Sequence, residues 1–466
     1  MKEPNPLETG KPLFSRQALA RLIVPLVIEQ LLLMTVGMAD IVMVTTTGEA
    51  AVSGVSLVDN INTLLIQVFA ALATGGAVVV SQYLGRREEE NARKAAKQLV
   101  YAAVLAAAVL TAFALIFRES ILSLVFGGIP GDVRKSALDY FIITAMAYPF
   151  MAVYNAGAAL FRSMGNSRVS MFNSAIVNLV NIVVNAILIY GYGMGAAGAA
   201  IGTLVSRIVA AVVILFLLQR PDNPLHIEGL LKPELHVGMV KRILTIGIPT
   251  GLENSLFQVG KLIVLGLVTT LGATEALRTA AIAANGIAGS VGGVVNMPGS
   301  AIGLAMVTVV GQCIGARESE QAVAYAKKLL LLSYLSVGTL SVLLFFFVRP
   351  VTAIFDLGPD AAAMAEEVLR IFSVFSILFW PISFTLPNAL RAAGDVLFTM
   401  SVSLVSMFVF RLGFSYLLAP AVLFGHPMLN MGLAGVWLAM CLDWIVRGLV
   451  FGVRFLRGKW KRFQVI

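Results

Sequence analysis

About twelve apolar stretches, each roughly 20 residues or longer, run through this chain, and each is long enough to cross a bilayer core about 30 Å thick as a helix. They cover approximately residues 17–44, 52–83, 94–117, 137–160, 168–190, 195–218, 240–270, 280–310, 323–348, 363–389, 396–420 and 432–455. A lipid-exposed barrel would alternate polar with apolar residues, and these stretches do not. The fold expected is therefore an all-α integral membrane protein with twelve transmembrane helices. Composition agrees: 58% of the 466 residues are hydrophobic and 13% charged. Soluble domains run near half apolar and about a quarter charged. About 15 polar residues precede the first stretch, which is too long for a signal-peptide core and is read as a retained span.

The net charge of +9 would suit a nucleic-acid binder if the basic residues shared one face. They follow the membrane instead. With the amino terminus inside, the inner segments carry Lys2, Lys11, Arg16 and Arg21, then Arg86, Arg87, Arg93, Lys94 and Lys97. They continue through Lys232, Lys241, Arg242 and Arg317 to the tail residues Arg454, Arg457, Lys459, Lys461 and Arg462. About 24 basic residues fall inside against about 6 outside, the bias of the positive-inside rule. Both termini are expected in the cytoplasm, in a plasma (inner) membrane, and no nucleic-acid partner is expected. Cys313 and Cys441 are isolated, and His226, His236 and His426 fall in connecting segments. That is neither a disulfide framework nor a histidine metal centre. No Gly-x4-Gly-Lys-Ser/Thr occurs, so ATP is not the expected fuel, and no cofactor is expected. The absence of His-Glu-x2-His, Gly-x-Ser-x-Gly and paired catalytic aspartates argues against an intramembrane enzyme.

The chain also says the same thing twice. Pro25-Leu-Val-Ile-Glu29-Gln30 is echoed by Pro249-Thr-Gly-Leu-Glu253-Asn254, and Ser81-Gln82-Tyr-Leu-Gly85 by Gly311-Gln312-Cys-Ile-Gly315. Leu160-Phe-Arg162-Ser-Met-Gly165-Asn166 is echoed by Ala389-Leu-Arg391-Ala-Ala-Gly394-Asp395, and Met194-Gly195 by Met431-Gly432. The proline-bearing stretch 221–239, with Pro221, Pro224 and Pro233, reads as a cytoplasmic linker between an amino-terminal six-helix lobe (1–220) and a carboxyl-terminal one (240–466). Six spans per half make the repeat parallel, an arrangement that places a substrate path between rocking lobes.

Asp40 is an acid deep within the first apolar stretch. An ionisable group in hydrocarbon marks an ion or proton path, or a partner across the bundle. It lies about four residues, roughly 6 Å, from the outer end of its helix. Asn181, Asn185 and Thr203 lie at comparable depth on helices five and six, and together they form an oxygen-rich cluster suited to a proton or a sodium ion. The alternative is a structural aspartate capped by the asparagines. Glu29 and Glu253 follow Pro25 and Pro249 by four residues, so these sites read either as hinges with a titratable lever or as carboxyl groups bonding a neighbouring helix. Lys261 is a candidate to neutralise an acid such as Asp59. Asp443 and Arg447, spaced i, i+4, are expected to satisfy each other, while Arg207 and Arg411 need partners. Met34, Met38, Phe257, Met297, Phe379, Trp380 and Phe384 offer thioether and aromatic walls for a substrate cavity. Glu88, Glu89 and Glu90 read as the solvated start of helix three.

The ordered set of motifs resembles the multidrug and toxic compound extrusion (MATE) transporters over essentially the whole chain. Pro25-x3-Glu-Gln with Met38-Ala-Asp40 resembles that family's first helix, the Gln-x2-Gly landmarks its loops after helices two and eight, and Leu-Arg-Ala-Ala-Gly-Asp (390–395) its loop after helix ten. The resemblance implies two pseudo-symmetric six-helix lobes that open alternately, driven by sodium or proton entry. It also implies a cation or proton site in the amino-terminal lobe, at positions matched by Asp40, Asn181, Asn185 and Thr203. Some branches carry a second acidic site on helices seven and ten. Here Gln258 occupies the corresponding stretch of helix seven, and 371–391 holds no acid, a pattern closer to the DinF-like branch. The function expected is export of amphipathic, often cationic, small molecules by a monomer in membrane lipid. The alternative is a flippase of lipid-linked precursors, which would favour a strongly cationic central cavity.

Overall fold

The structure, a computed structural model, describes residues 12–127, 131–230, 234–423, 426–463 and 465–466. Lys2, Lys11, Lys232 and Pro233, used above for orientation and for the linker, lie outside the described residues. Among the described residues, twelve helices are long and apolar enough to cross a membrane. They are α1 (Arg16–Thr45), α2 (Glu49–Gly85), α3 (Glu89–Ile116), α4 (Gly131–Ser163), α5 (Ser167–Gly191) and α6 (Gly195–Leu218). The second half supplies α7 (Val237–Val268), α8 (Glu275–Gly315), α9 (Ser319–Phe346), α10 (Pro359–Ala393), α11 (Val396–Leu418) and α12 (Gly432–Leu456). Among the described residues one short strand pair, Val422↔Pro427 and Leu423↔His426, lies between α11 and α12.

Several helices begin a turn or so before their apolar stretch. The extra turn is acidic: Glu49 opens α2, Glu89 and Glu90 open α3, Asp132 α4, Glu275 α8 and Asp360 α10. Negative charge there complements the unpaired N–H groups and the positive end of the helix dipole. Glu88 sits just ahead of α3, so the acidic triplet does start helix three. Two short helices, Arg118–Phe126 after α3 and Val348–Ala353 after α9, were not anticipated. They are separated by the same spacing as Arg87 and Arg317, non-glycine residues in the turns after α2 and α8 with nearly equal φ of 61° and 63°. The repeat therefore extends to backbone conformation outside the four motifs.

By packing, the chain forms two compact units. One comprises Met1–Gly251, Val307–Ala324 and Val465–Ile466, and the other Leu252–Met306 and Tyr325–Gln464. In the first unit the two Gln-x2-Gly motifs meet. A Cβ on Gly85 would overlap the Gln312 carbonyl, and one on Gly315 would overlap the Gln82 carbonyl. The glycines are there so that two helix ends can touch backbone to backbone. In the second unit the core gathers Phe372, Trp380, Trp437 and Trp444 with Val264, Val368 and Val436. Among the described residues three π-helical segments interrupt the α geometry, at Ala186–Gly191, Pro381–Thr385 and Ser406–Gly413. Such segments re-aim the side chains of the adjoining turn and occur frequently at functional sites.

Candidate functional site

Asp40 is buried on α1, 7% exposed, in the first unit. Asn185, on the last α-helical turn before the first π segment, donates from Nδ2 to Asp40 Oδ1 at 2.6 Å and sits 3.3 Å from Asn181 Oδ1. Asn181 and Asn185 are fully buried. Gly202 on α6 gives Asn185 its place, because a Cβ there would overlap Asn185 Oδ1. Asn181 Nδ2, Asn185 Oδ1, Thr203 Oγ1 and Arg207 Nε are all buried with no hydrogen-bond partner. Of these, Asn185 Oδ1 and Thr203 Oγ1 are acceptors able to engage a proton or small cation, whereas Asn181 Nδ2 and Arg207 Nε are donors. Asp59 and Arg207 are the charges whose fields reach Asp40. Asp59 is held by Tyr140 Oη at 3.1 Å and Asn62 Nδ2 at 3.4 Å, and Asn62 accepts in turn from Tyr148 Oη at 2.8 Å.

Both proline-linked glutamates bond neighbouring helices. Glu29, 1% exposed, accepts from Arg162 at 3.1 Å and from Ser170 Oγ at 2.6 Å. Glu253, 3% exposed, accepts from Arg391 at 2.6 Å and lies 3.9 Å from Arg447. The acids are repeat mates, and so are the arginines. Pro25 and Pro249 lie inside the unbroken helices α1 and α7.

The second unit contains a cavity of about 400 Å³, within the usual range of roughly 300–1,000 Å³ for small-molecule sites. Phe257, Phe372, Trp380, Phe384, Trp437 and Trp444 form its aromatic wall, and Lys261 and Arg411 its charged part, with no acid among its lining residues. Lys261 lies 5.9 Å and Arg411 5.3 Å from the Phe257 ring centroid. Two of the three π segments supply this wall, placing Phe384 and Arg411.

Comparison with known proteins then decides the family. The MatE family profile matches residues 25–187 and again 249–417, once in each half of the repeat. The chain belongs to the MatE family. It is 28% identical over 97% of its length, and 94% of the relative's, to a probable multidrug resistance protein NorM of Thermotoga maritima. Its fold matches a crystal structure of MATE in complex with MaL6 at TM-score 0.87 and 20% identity, covering 96% of this chain and 97% of that one. It also matches a Pyrococcus furiosus transporter of the MOP superfamily at TM-score 0.86 and 20% identity over 96% of both chains, described as having a binding pocket of reverse polarity that suggests a different function. The MatE membership and the twelve helices make this a multi-pass membrane transporter with the two-lobe MATE fold.

Within that MatE fold the structure joins Asp40, Asn185 and Asn181 by direct bonds, and Thr203 follows Gly202, the residue packed against Asn185. Phe257, Trp380 and Phe384 line the second-unit cavity. Met297 is buried outside its lining, Phe379 packs behind it, and Met34 and Met38 belong to the first unit, Met38 being 58% exposed. Two expectations are corrected. Asp443 and Arg447 form no direct pair: Asp443 accepts from Ser406 Oγ at 2.6 Å, whereas Arg447 donates to Ser403 Oγ at 3.0 Å and lies 4.5 Å over the Phe384 ring. The aromatic face and the Ser403 hydroxyl draw the guanidinium away from its own helix neighbour. Asp59 is satisfied by Tyr140 and Asn62, while Lys261 in the second unit has Arg411, a like charge, as its electrostatic neighbour. Sequence reasoning missed Asn285, Asn296, Trp437 and Trp444. The available signal was the seven-residue spacing of the two tryptophans, which puts them on one helix face.

Proposed function

We propose that this MatE-family transporter is a cation-coupled antiporter that exports amphipathic small molecules by alternating access, with Asp40 carrying the coupling proton or sodium ion. The observation that carries the reading is the buried Asp40–Asn185–Asn181 chain, in which Asn185 Oδ1 is unbonded, together with the unbonded Thr203 hydroxyl. A hard cation or a proton entering there would meet carboxylate, amide carbonyl and hydroxyl oxygens together. The lone aspartate on α1 keeps the reading nearest the DinF-like branch, and with Gln258 on α7 no second acidic site is proposed. Pro25 with Glu29 and Pro249 with Glu253 are proposed to transmit the change. In α7 the division between the packing units falls between Gly251 and Leu252, just after Pro249. The protein is proposed to act as a monomer in the inner membrane, surrounded by lipid, with both termini cytoplasmic and no enzymatic step. Multidrug export is taken from the name of the Thermotoga maritima relative.

The expectation of often-cationic substrates rested on aromatic and thioether walls. Such walls line the second-unit cavity, but Lys261 and Arg411 stand among them and oppose a cation. The flippase alternative calls for a strongly cationic central cavity; Lys261 and Arg411 give the second-unit cavity positive charge, but the MatE profile and the multidrug-resistance relative favour the antiporter. Purified full-length protein in proteoliposomes tests the proposal, with rhodamine 123 and fluorescein as probe dyes under an imposed proton or sodium gradient. Dye movement under one gradient supports antiport and names the ion. No movement of either dye under either gradient contradicts it.

A further inference from the structure

The two halves of the repeat differ in charge around matching places. Moving Asp40 by the spacing from Pro25 to Pro249 lands on Val264. Moving Asn181 and Asn185 by the spacing from Gly165 to Gly394 lands on Phe410 and Phe414, and moving Thr203 by the spacing from Gly195 to Gly432 lands on Met440. The acid, amides and hydroxyl of the first half thus become apolar residues in the second. Val264 and Met440 both line the second-unit cavity, so that cavity stands at the repeat-related place of the Asp40 cluster. Its charged groups are Lys261, one turn before Val264, and Arg411, which lies next to Phe410.

These cations are poorly compensated. Lys261 makes no ion pair among the described residues, and its charged neighbour is Arg411. Arg411 feels Asp443 and Arg447, and its Nε is buried without a partner. Asp443 accepts from Ser406 and Glu253 from Arg391, each keeping one buried carboxylate oxygen unbonded, and neither acid lines the cavity. Trp444, 3% exposed on the cavity wall, has its indole N–H unbonded. Asn285 and Asn296 spend their carbonyl oxygens on Trp437 and Ser376. The wall therefore presents donors and positive charge and little acceptor capacity. A cavity wall of that kind, on which Lys261 is exposed, is completed by a ligand that brings the acceptors and the negative charge.

We propose that the second-unit cavity binds an organic anion with an aromatic body, its carboxylate or sulfonate held by Lys261 and Arg411 and its ring packed among the tryptophans and phenylalanines. Calling that anion the transported substrate rests on the antiport reading; the binding site itself does not. The six aromatic side chains favour a flat aromatic body over an acyl chain, since stacked and edge-on ring contacts add to simple burial.

Fluorescein and rhodamine 123 share a xanthene ring and differ in charge, so binding of each to the full-length protein in nanodiscs, read by anisotropy, isolates the sign. Wild type is expected to bind fluorescein at least tenfold more tightly than rhodamine 123. Lys261→Gln should weaken fluorescein about tenfold and leave rhodamine 123 unchanged or tighter, and Lys261→Arg should restore fluorescein. The preference in wild type keeps the test decisive even if a variant fails to fold. Tighter binding of rhodamine 123 to wild type, or equal loss of both dyes in Lys261→Gln, overturns the proposal. Loss of fluorescein binding in nanodiscs containing phosphatidylglycerol would assign the site to a lipid headgroup and also overturn it. The two readings fail separately. Anion preference without gradient-driven transport sinks the antiporter and leaves the site, whereas gradient-driven transport together with tighter binding of rhodamine 123 than of fluorescein does the reverse.

Discussion

Arg391 donates to Glu253 across 2.6 Å, and the residues they repeat, Arg162 and Glu29, make the same pair at 3.1 Å. Each acid is almost fully buried, so removing one arginine strands a carboxylate away from water. Arg391→Ala should cost about 3–5 kcal/mol, the usual penalty for orphaning a buried charge. The double variant Glu253→Gln with Arg391→Gln should be markedly more stable than the sum of the single changes. Thermal unfolding of the purified variants gives the cycle, and simple additivity would show that the pair is not coupled.

Asn185 reaches Asp40 because Gly202 has no side chain. In Gly202→Ala the new methyl group displaces the Asn185 amide from the carboxylate. Gradient-driven dye transport should fall at least tenfold, while stability falls by about 1–3 kcal/mol, the range for an overpacked site. A transport rate equal to wild type would separate Asn185 from the ion site.

The crossed Gln-x2-Gly motifs make a second steric prediction. Gly85→Ala or Gly315→Ala drives a methyl group into the opposing glutamine's backbone carbonyl, which cannot swing aside as a side-chain tip can. Each variant should lower the melting temperature clearly, whereas Gly37→Ala, which meets open space, should lower it little. Equal melting temperatures for all three would refute the close approach.

Much of this was legible in the sequence because hydrocarbon permits few solutions. Twelve apolar runs become twelve helices once every backbone N–H and C=O must be satisfied within its own segment. The helix starts were read late, since apolar counting stops at acidic first turns such as Glu89 and Glu90. Asp40 stood out by its cost in an apolar run, and its asparagine partners by depth. The pairing of Glu29 with Arg162 was hidden although both motifs were recognised, because a repeat shows which residues correspond and not which ones touch. The Asp443–Arg447 expectation failed because helical spacing makes contact available without making it preferred over nearby rings and hydroxyls. The polarity of the second-unit cavity needed three dimensions: Lys261 and Arg411 are far apart in the chain, and the π segment at Ser406–Gly413 alters the helical register around Arg411.

The most direct measurement compares wild type with Asp40→Asn in proteoliposomes, following whichever xanthene dye wild type moves under its coupling gradient and measuring binding of the same dye. A coupling role for Asp40 predicts that the variant folds and binds the dye with near-normal affinity, yet loses gradient-driven transport. Transport at the wild-type rate in Asp40→Asn would contradict it.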